Sequence, residues 1–181
     1  MTSAGSGVRV LAVTDGENAS AGEPGLGYIC VGEQQRALQA LGVDSSEIVR
    51  LAFPDNSVAA HEPEWTDSIR SLHTSDTHVI APWQGDFHSD HESCGRAAVL
   101  AADYTGAGVT FYFFWTWHRG TLSLLRNLPL LRFELFVGQQ RAKAQAICCQ
   151  ESQLVHSTRQ PILPASLLWP AREPFEVFLP K

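Results

Sequence analysis

Two imidazoles and two carboxylates crowd into six residues of this chain, Asp86-Phe87-His88-Ser89-Asp90-His91, within the polar loop 83–91. His and Asp at this density can hold a divalent metal and set an acid–base group beside it. The same residues also fit a solvated loop in which Asp90 caps the following helix. Local composition leaves both readings open. Asp15 and Asp86 fall at predicted strand ends, and a metal site made of His91, Asp15 and Asp86 is a further arrangement to weigh. His61, Glu62, His73 and His78 read as surface groups. The segment 22–27 is a poor phosphate cradle, because Pro24 removes a backbone donor and no lysine follows.

The elements around this loop must position it. Apolar runs of strand type are expected at 8–13, 47–52, 77–82, 109–115, 131–137 and 175–179. Helical patterns are expected at 28–41, 63–72, 92–104 and 139–153, with Gly42 a natural C-cap. Thr14-Asp15-Gly16 is a turn signal after the first strand, and 18–27 reads as a loop. The run 109–115 is continuously apolar and suits a strand covered on both faces. Continued alternation would put Trp115 and Trp117 on one face, where either could offer a stacking surface. Strand–helix alternation implies a largely parallel sheet with helices on both faces, and functional groups in the loops after the carboxyl ends of strands.

Composition narrows the function. A chain of 181 residues fits one domain with a sizeable core, so a single domain over 1–181 is expected. Nineteen acidic against 13 basic residues, a formal charge of -6, argue against a nucleic-acid partner. The apolar stretch 109–117 is about half of what a membrane-spanning helix needs, so no span is expected. The N-terminus has neither the basic start nor the apolar centre of a secretory signal. Cys30, Cys94, Cys148 and Cys149 form no Cys-x-x-Cys pair; reduced thiols in the cytoplasm are the simplest reading.

Set in order, the motifs resemble the LmbE-like (PIG-L type) zinc-dependent de-N-acetylases. Thr14-Asp15-Gly16-Glu17 looks like that family's T-D-G-E segment. Leu26-Gly27-Tyr28-Ile29-Cys30-Val31-Gly32-Glu33, followed by Ala37-Leu38 and Leu41-Gly42, resembles its helix with R-x-x-E and A-L-x-x-L-G. Leu51-Ala52-Phe53-Pro54-Asp55 looks like its L-x-x-P-D loop, and Gly85-Asp86-Phe87-His88-Ser89-Asp90-His91 its G-D-x-H-x-D-H motif. Trp115-Thr116-Trp117-His118 and Lys143 with Ser152-Gln153 match later landmarks. The likeness runs from about residue 8 to 178.

The resemblance implies a Rossmann-like three-layer α/β sandwich with a mostly parallel sheet. It also implies hydrolysis of the N-acetyl group of an N-acetylglucosamine-type conjugate, a small-molecule partner. His91 would be a zinc ligand. His88 would be the imidazolium that stabilises the oxyanion and protonates the leaving amine, with Asp90 holding it. Asp55 would contact a sugar hydroxyl and His118 would line the pocket. The chemistry explains the parts: an amide carbonyl is a poor electrophile that a Lewis acid activates, and an amine leaves only with a proton.

The sequence departs from the family in two places. The early H-P-D-D-E motif, which in the family supplies two zinc ligands and the general base, does not occur in residues 1–181. Residues 3–7 resemble the tail of the helix that would follow it, so the expectation is an N-terminally truncated domain lacking its first strand and helix. Zinc would then lack two of its expected ligands. Cys30 stands where the family helix carries arginine. The alternative expectation is a non-catalytic remnant, at most a weak sugar- or partner-binding module.

Overall fold

A computed structural model of the chain describes residues 6–20, 23–155 and 160–181. Residues 3–5 of the helix-tail reading and 21–22 of the expected loop lie outside it. The elements run β1 (Val10–Ala12), α1 (Leu26–Ala40), β2 (Ile48–Arg50), α2 (Glu62–Arg70), β3 (His78–Pro82), α3 (Ser89–Thr105), β4 (Gly108–Tyr112), α4 (Thr116–Arg119), α5 (Leu122–Arg126), β5 (Leu131–Glu134), α6 (Val137–Cys148), α7 (Glu151–Leu154) and β6 (Phe175–Pro180). No helix among the described residues is long and apolar enough to cross a membrane.

The chain packs as two compact units, Met1–Asp55 with Glu134–Pro174, and Asn56–Phe133 with Phe175–Lys181. In the first, β1 and β2 pair in parallel, Val10 against Ile48 and Ala12 against Arg50. Helix α1 buries Leu26, Cys30, Glu33 and Ala37, a stripe spaced for one helical face. It stops where Gly42 turns to φ 83° and the Val43 amide closes back on Leu38 O at 2.9 Å. The expected helix 139–153 is two pieces, α6 and α7, and no glycine or proline marks the break between them.

In the second unit the strand order is β3-β4-β6-β5. β3 and β4 are parallel, whereas β6 runs antiparallel to β4, with Phe111 opposite Leu179. The sheet is therefore mixed, a common departure when a late strand joins a parallel core. Ala81, Ala98, Ala102, Val109, Phe111, Phe113 and Leu179 form the core, packed by Trp83 and Trp117. The alanines let α3 lie close to the sheet. Closest is Gly95, where a Cβ would sit 2.6 Å from Pro82 O, so only hydrogen fits between α3 and the end of β3. Helix α2 buries Trp65 and Ile69 one turn apart, and its Glu62 takes a two-nitrogen grip from Arg96 of α3, with Nη2 at 2.6 Å.

Two expectations about this unit change. Helix α3 begins at Ser89, three residues before the predicted start, so Asp90 and His91 lie in its first turn. Strand β4 ends at Tyr112, and Thr116–Arg119 is a helical turn. Trp115 and Trp117 therefore do not alternate along a strand. Trp117 packs edge-on against the core ring of Phe113 at 5.7 Å, whereas Trp115 lies parallel to His88 with centroids 6.1 Å apart.

Candidate active site

The loop between β3 and α3 is fixed by the carboxylate at position 86, which is 0% exposed. Its Oδ1 accepts from the backbone amides of Phe114 (3.0 Å) and Thr116 (2.9 Å) and from Thr116 Oγ1 (2.7 Å). Its Oδ2 accepts from the Trp115 amide (3.1 Å) and faces His91 Nδ1 at 2.7 Å. Three consecutive amides turned onto one carboxylate cannot also serve a ladder, which is why β4 stops short of the predicted 115. Burial pushes the Asp86 carboxyl up, but the hydrogen bonds from His91, Thr116 and Phe114 outweigh it and hold the group below its ordinary range. An ionised Asp86 is acceptor-only, so Nδ1 of His91 is the donor, and in a neutral ring Nε2 carries the lone pair.

The other predicted groups of this unit gather here. The rings of His88 and His91 lie 4.9 Å apart. His118 meets Phe114 at 6.0 Å and Trp115 at 6.2 Å. His88 is the N-cap position of α3, in extended conformation. Asp90 is buried, and its Oδ1 accepts from the Val58 amide at 3.2 Å rather than capping α3. Its Oδ2 is buried and has no hydrogen-bond partner among the described residues. Phe87 takes a left-handed backbone (φ 60°); its amide donates to Glu92 Oε1 at 3.0 Å and its carbonyl accepts from Arg119 Nη1 at 2.6 Å. The Arg119 guanidinium lies 4.2 Å over the Trp115 ring.

The remaining predicted residue, Asp55, belongs to the first unit, where the T-D-G-E segment holds it. Thr14 Oγ1 donates to its Oδ1 (3.3 Å), its amide donates to Glu17 Oε1 (2.8 Å), and Asn18 Nδ2 donates to its carbonyl (3.0 Å). Asp15 is salt-bridged to Arg50 at 2.7 Å, beside a cavity of about 480 Å³ lined also by Glu17, Tyr28 and Phe53. Glu33, almost fully buried, accepts from the amide and hydroxyl of Ser152, both at 2.7 Å. Cys30, where the family pattern has arginine, is a buried thiol raised above its ordinary pKa by that burial.

Sequence reading missed the roles of Asp86, Thr116 and Val58. The signals for Asp86 were its place at the end of a predicted strand and in the G-D-x-H-x-D-H segment; apart from His91, its partners lie about 30 residues away. Catalytic zinc normally takes three protein ligands. Among the described residues no group of three or more His, Cys, Asp or Glu side chains is placed to hold a metal. His91, oriented by a carboxylate behind it, has the form of one zinc ligand, but the residues described do not amount to a zinc centre.

The model of the PIG-L family, GlcNAc-PI de-N-acetylase, matches residues 1–102, a span that includes the T-D-G-E segment and the loop from Gly85 to His91. No curated protein matches the chain. Among solved structures, it resembles the conserved protein TT1542 from Thermus thermophilus, at TM-score 0.57 and 21% identity over 82% of this chain and 68% of that one. It also resembles the A40926 pseudoaglycone deacetylase Dbv21, at TM-score 0.63 and 19% identity over 97% of this chain and 85% of that one. Both share its Rossmann-like α/β fold, and with the family match covering more than half of the residues, the chain belongs to the PIG-L family of de-N-acetylases.

Proposed function

We propose that this chain serves the zinc-dependent removal of an acetyl group from an N-acetylglucosamine-type sugar conjugate. The observation that carries the reading is the Asp86–His91 pair, which orients an imidazole in the first turn of α3, beside His88. In this reading His91 is a zinc ligand, and the remaining donors lie outside the groups that the described residues bring together. His88 gives a proton to the departing amine, and the buried Asp90 Oδ2, which has no partner among the described residues, is the acceptor that would take up that imidazole when it is protonated. Asp55 and His118 contact the sugar. Reduced thiols at all four cysteines fit a cytoplasmic setting. The test is His91→Ala: zinc per chain and acetate release both fall to background relative to the parent protein. Undiminished zinc content and turnover in that variant would sink the proposal.

A second reading is a non-catalytic sugar- or partner-binding module. It is favoured by Cys30 in the place of the family's arginine and by the described residues bringing together no three His, Cys, Asp or Glu side chains placed to hold a metal. Stoichiometric, tight zinc binding by residues 1–181 alone counts against it.

A further inference from the structure

We propose that β5 is a contact between two copies of this chain, pairing antiparallel with the β5 of a second copy about a two-fold axis at Phe133. β5 is the last strand of its sheet, next to β6, and no strand among the described residues lies on its other side. All four of its residues are exposed, with Leu131 45% and Phe133 55% accessible. An open edge carries main-chain donors and acceptors that template a further strand, and sheets commonly screen it with lysine or proline. β5 has neither: it reads Leu-Arg-Phe-Glu, apolar and charged in turn. Its side chains are anchored on β6. Phe133 meets the Phe178 ring edge-on at 5.6 Å, and the Arg132 guanidinium lies 3.8 Å over the Phe175 ring. The strand is thus held extended while its apolar side chains stay half in water.

Main chain and charge together select the register. The Leu135 amide donates to Pro174 O at 2.9 Å, on the side of β6. Amides alternate sides along a strand, so those of Arg132 and Glu134 point to the open edge. Only an axis through a residue sets such outward amides against each other; an axis between residues sets Arg132 or Glu134 against an inward-facing Leu or Phe. An axis through Arg132 or through Glu134 places like charges directly opposite, which is unfavourable. An axis through Phe133 places Arg132 opposite Glu134 of the second copy, and Glu134 opposite its Arg132. It also places Phe133 against its own counterpart and Leu131 against Leu135 of the second copy. Opposite-charge and apolar pairs are the favourable combinations across strands. A surface that complements itself in this way is what a two-fold dimer requires.

The strand contributes four residues a side, so the contact is small and the dimer depends on concentration. The experiment is sedimentation velocity of the full chain over about a hundredfold range of concentration. The parent passes from monomer to dimer as concentration rises. Arg132→Glu and Glu134→Arg each set like charges across the axis, and each raises the dissociation constant about tenfold or more. Mixing the two variants restores pairing, because opposite charges then meet again, and so does carrying both substitutions in one chain. Hydrogen exchange of the parent is the second readout: the amides of Arg132 and Glu134 exchange more slowly as the dimer forms. A parent that stays monomeric at every concentration overturns the proposal. A dimer indifferent to both charge reversals overturns it, as does a mixture that pairs no better than either variant alone. Exchange at Arg132 and Glu134 that does not change with concentration overturns it even if neither variant folds.

Discussion

Replacing Gly95 by alanine tests the close approach that sets α3, and with it Asp90 and His91, against the end of β3. The added Cβ would meet Pro82 O at 2.6 Å, Gln84 N at 2.7 Å and Gln84 Cα at 3.0 Å. All three are main-chain atoms, so no side chain can swing aside; helix and strand end must separate. Overpacking of this kind costs up to about 3 kcal/mol. Alanine returns about 1 kcal/mol through its better helix propensity in a helix interior. The net expectation is a loss of about 2 kcal/mol. With a urea slope near 2 kcal/mol/M, typical of small proteins, the unfolding midpoint drops by about 1 M. Gly138→Ala is the control, because nothing lies within 4 Å of its Cβ position, and its midpoint stays level or rises. Equilibrium urea unfolding followed by circular dichroism reads both. A Gly95→Ala protein as stable as its parent would show that α3 and β3 do not touch as described, and the placement of the whole loop would fail with that contact.

Two further outcomes are expected. The bond from Arg96 holds the Glu62 carboxyl below its ordinary value of about 4.3. A depressed carboxylate gives stability that is present above its unfolded pKa and lost as pH falls through the lower folded value, so Arg96→Met should flatten the decline below about pH 4.3; urea midpoints at pH 6 and pH 3 measure it. Burial, aided by Asp90 and Glu62, pushes the Cys94 thiol up to about 12, whereas Cys148 is exposed. Iodoacetamide at pH 8 should alkylate Cys148 well before Cys94, read by mass spectrometry; equal rates refute the burial of Cys94.

The sequence carried the local signals well. Gly42 ended α1 as its left-handed preference demands, and Ala97, Ala98, Ala101 and Ala102 filled the helical face that packs on the sheet. The loop 85–91 was visible because its unusual groups lie next to each other in the chain. What stayed hidden depends on distant pairing. Nothing near Asp86 announces that the amides of residues 114–116 will turn onto it, and that capture is what shortens β4 and separates Trp115 from Trp117. Glu33 enters the sequence reading only through the helix motif, and its partner Ser152 lies 119 residues later. Periodicity reports which face of an element is buried, but not which partner covers it.

The left-handed turn at Phe87 has a consequence for how this loop tolerates change. A non-glycine residue in that conformation is held at a cost of about 1 kcal/mol or more. Here the tension is borne from outside, by Glu92 on one flank and Arg119 on the other, each gripping the main chain rather than the ring. The outline of the loop is therefore written in its neighbours. Positions 87 and 89 are at liberty to drift, and with them the texture that the rim offers to whatever approaches, while the histidines stay where they are.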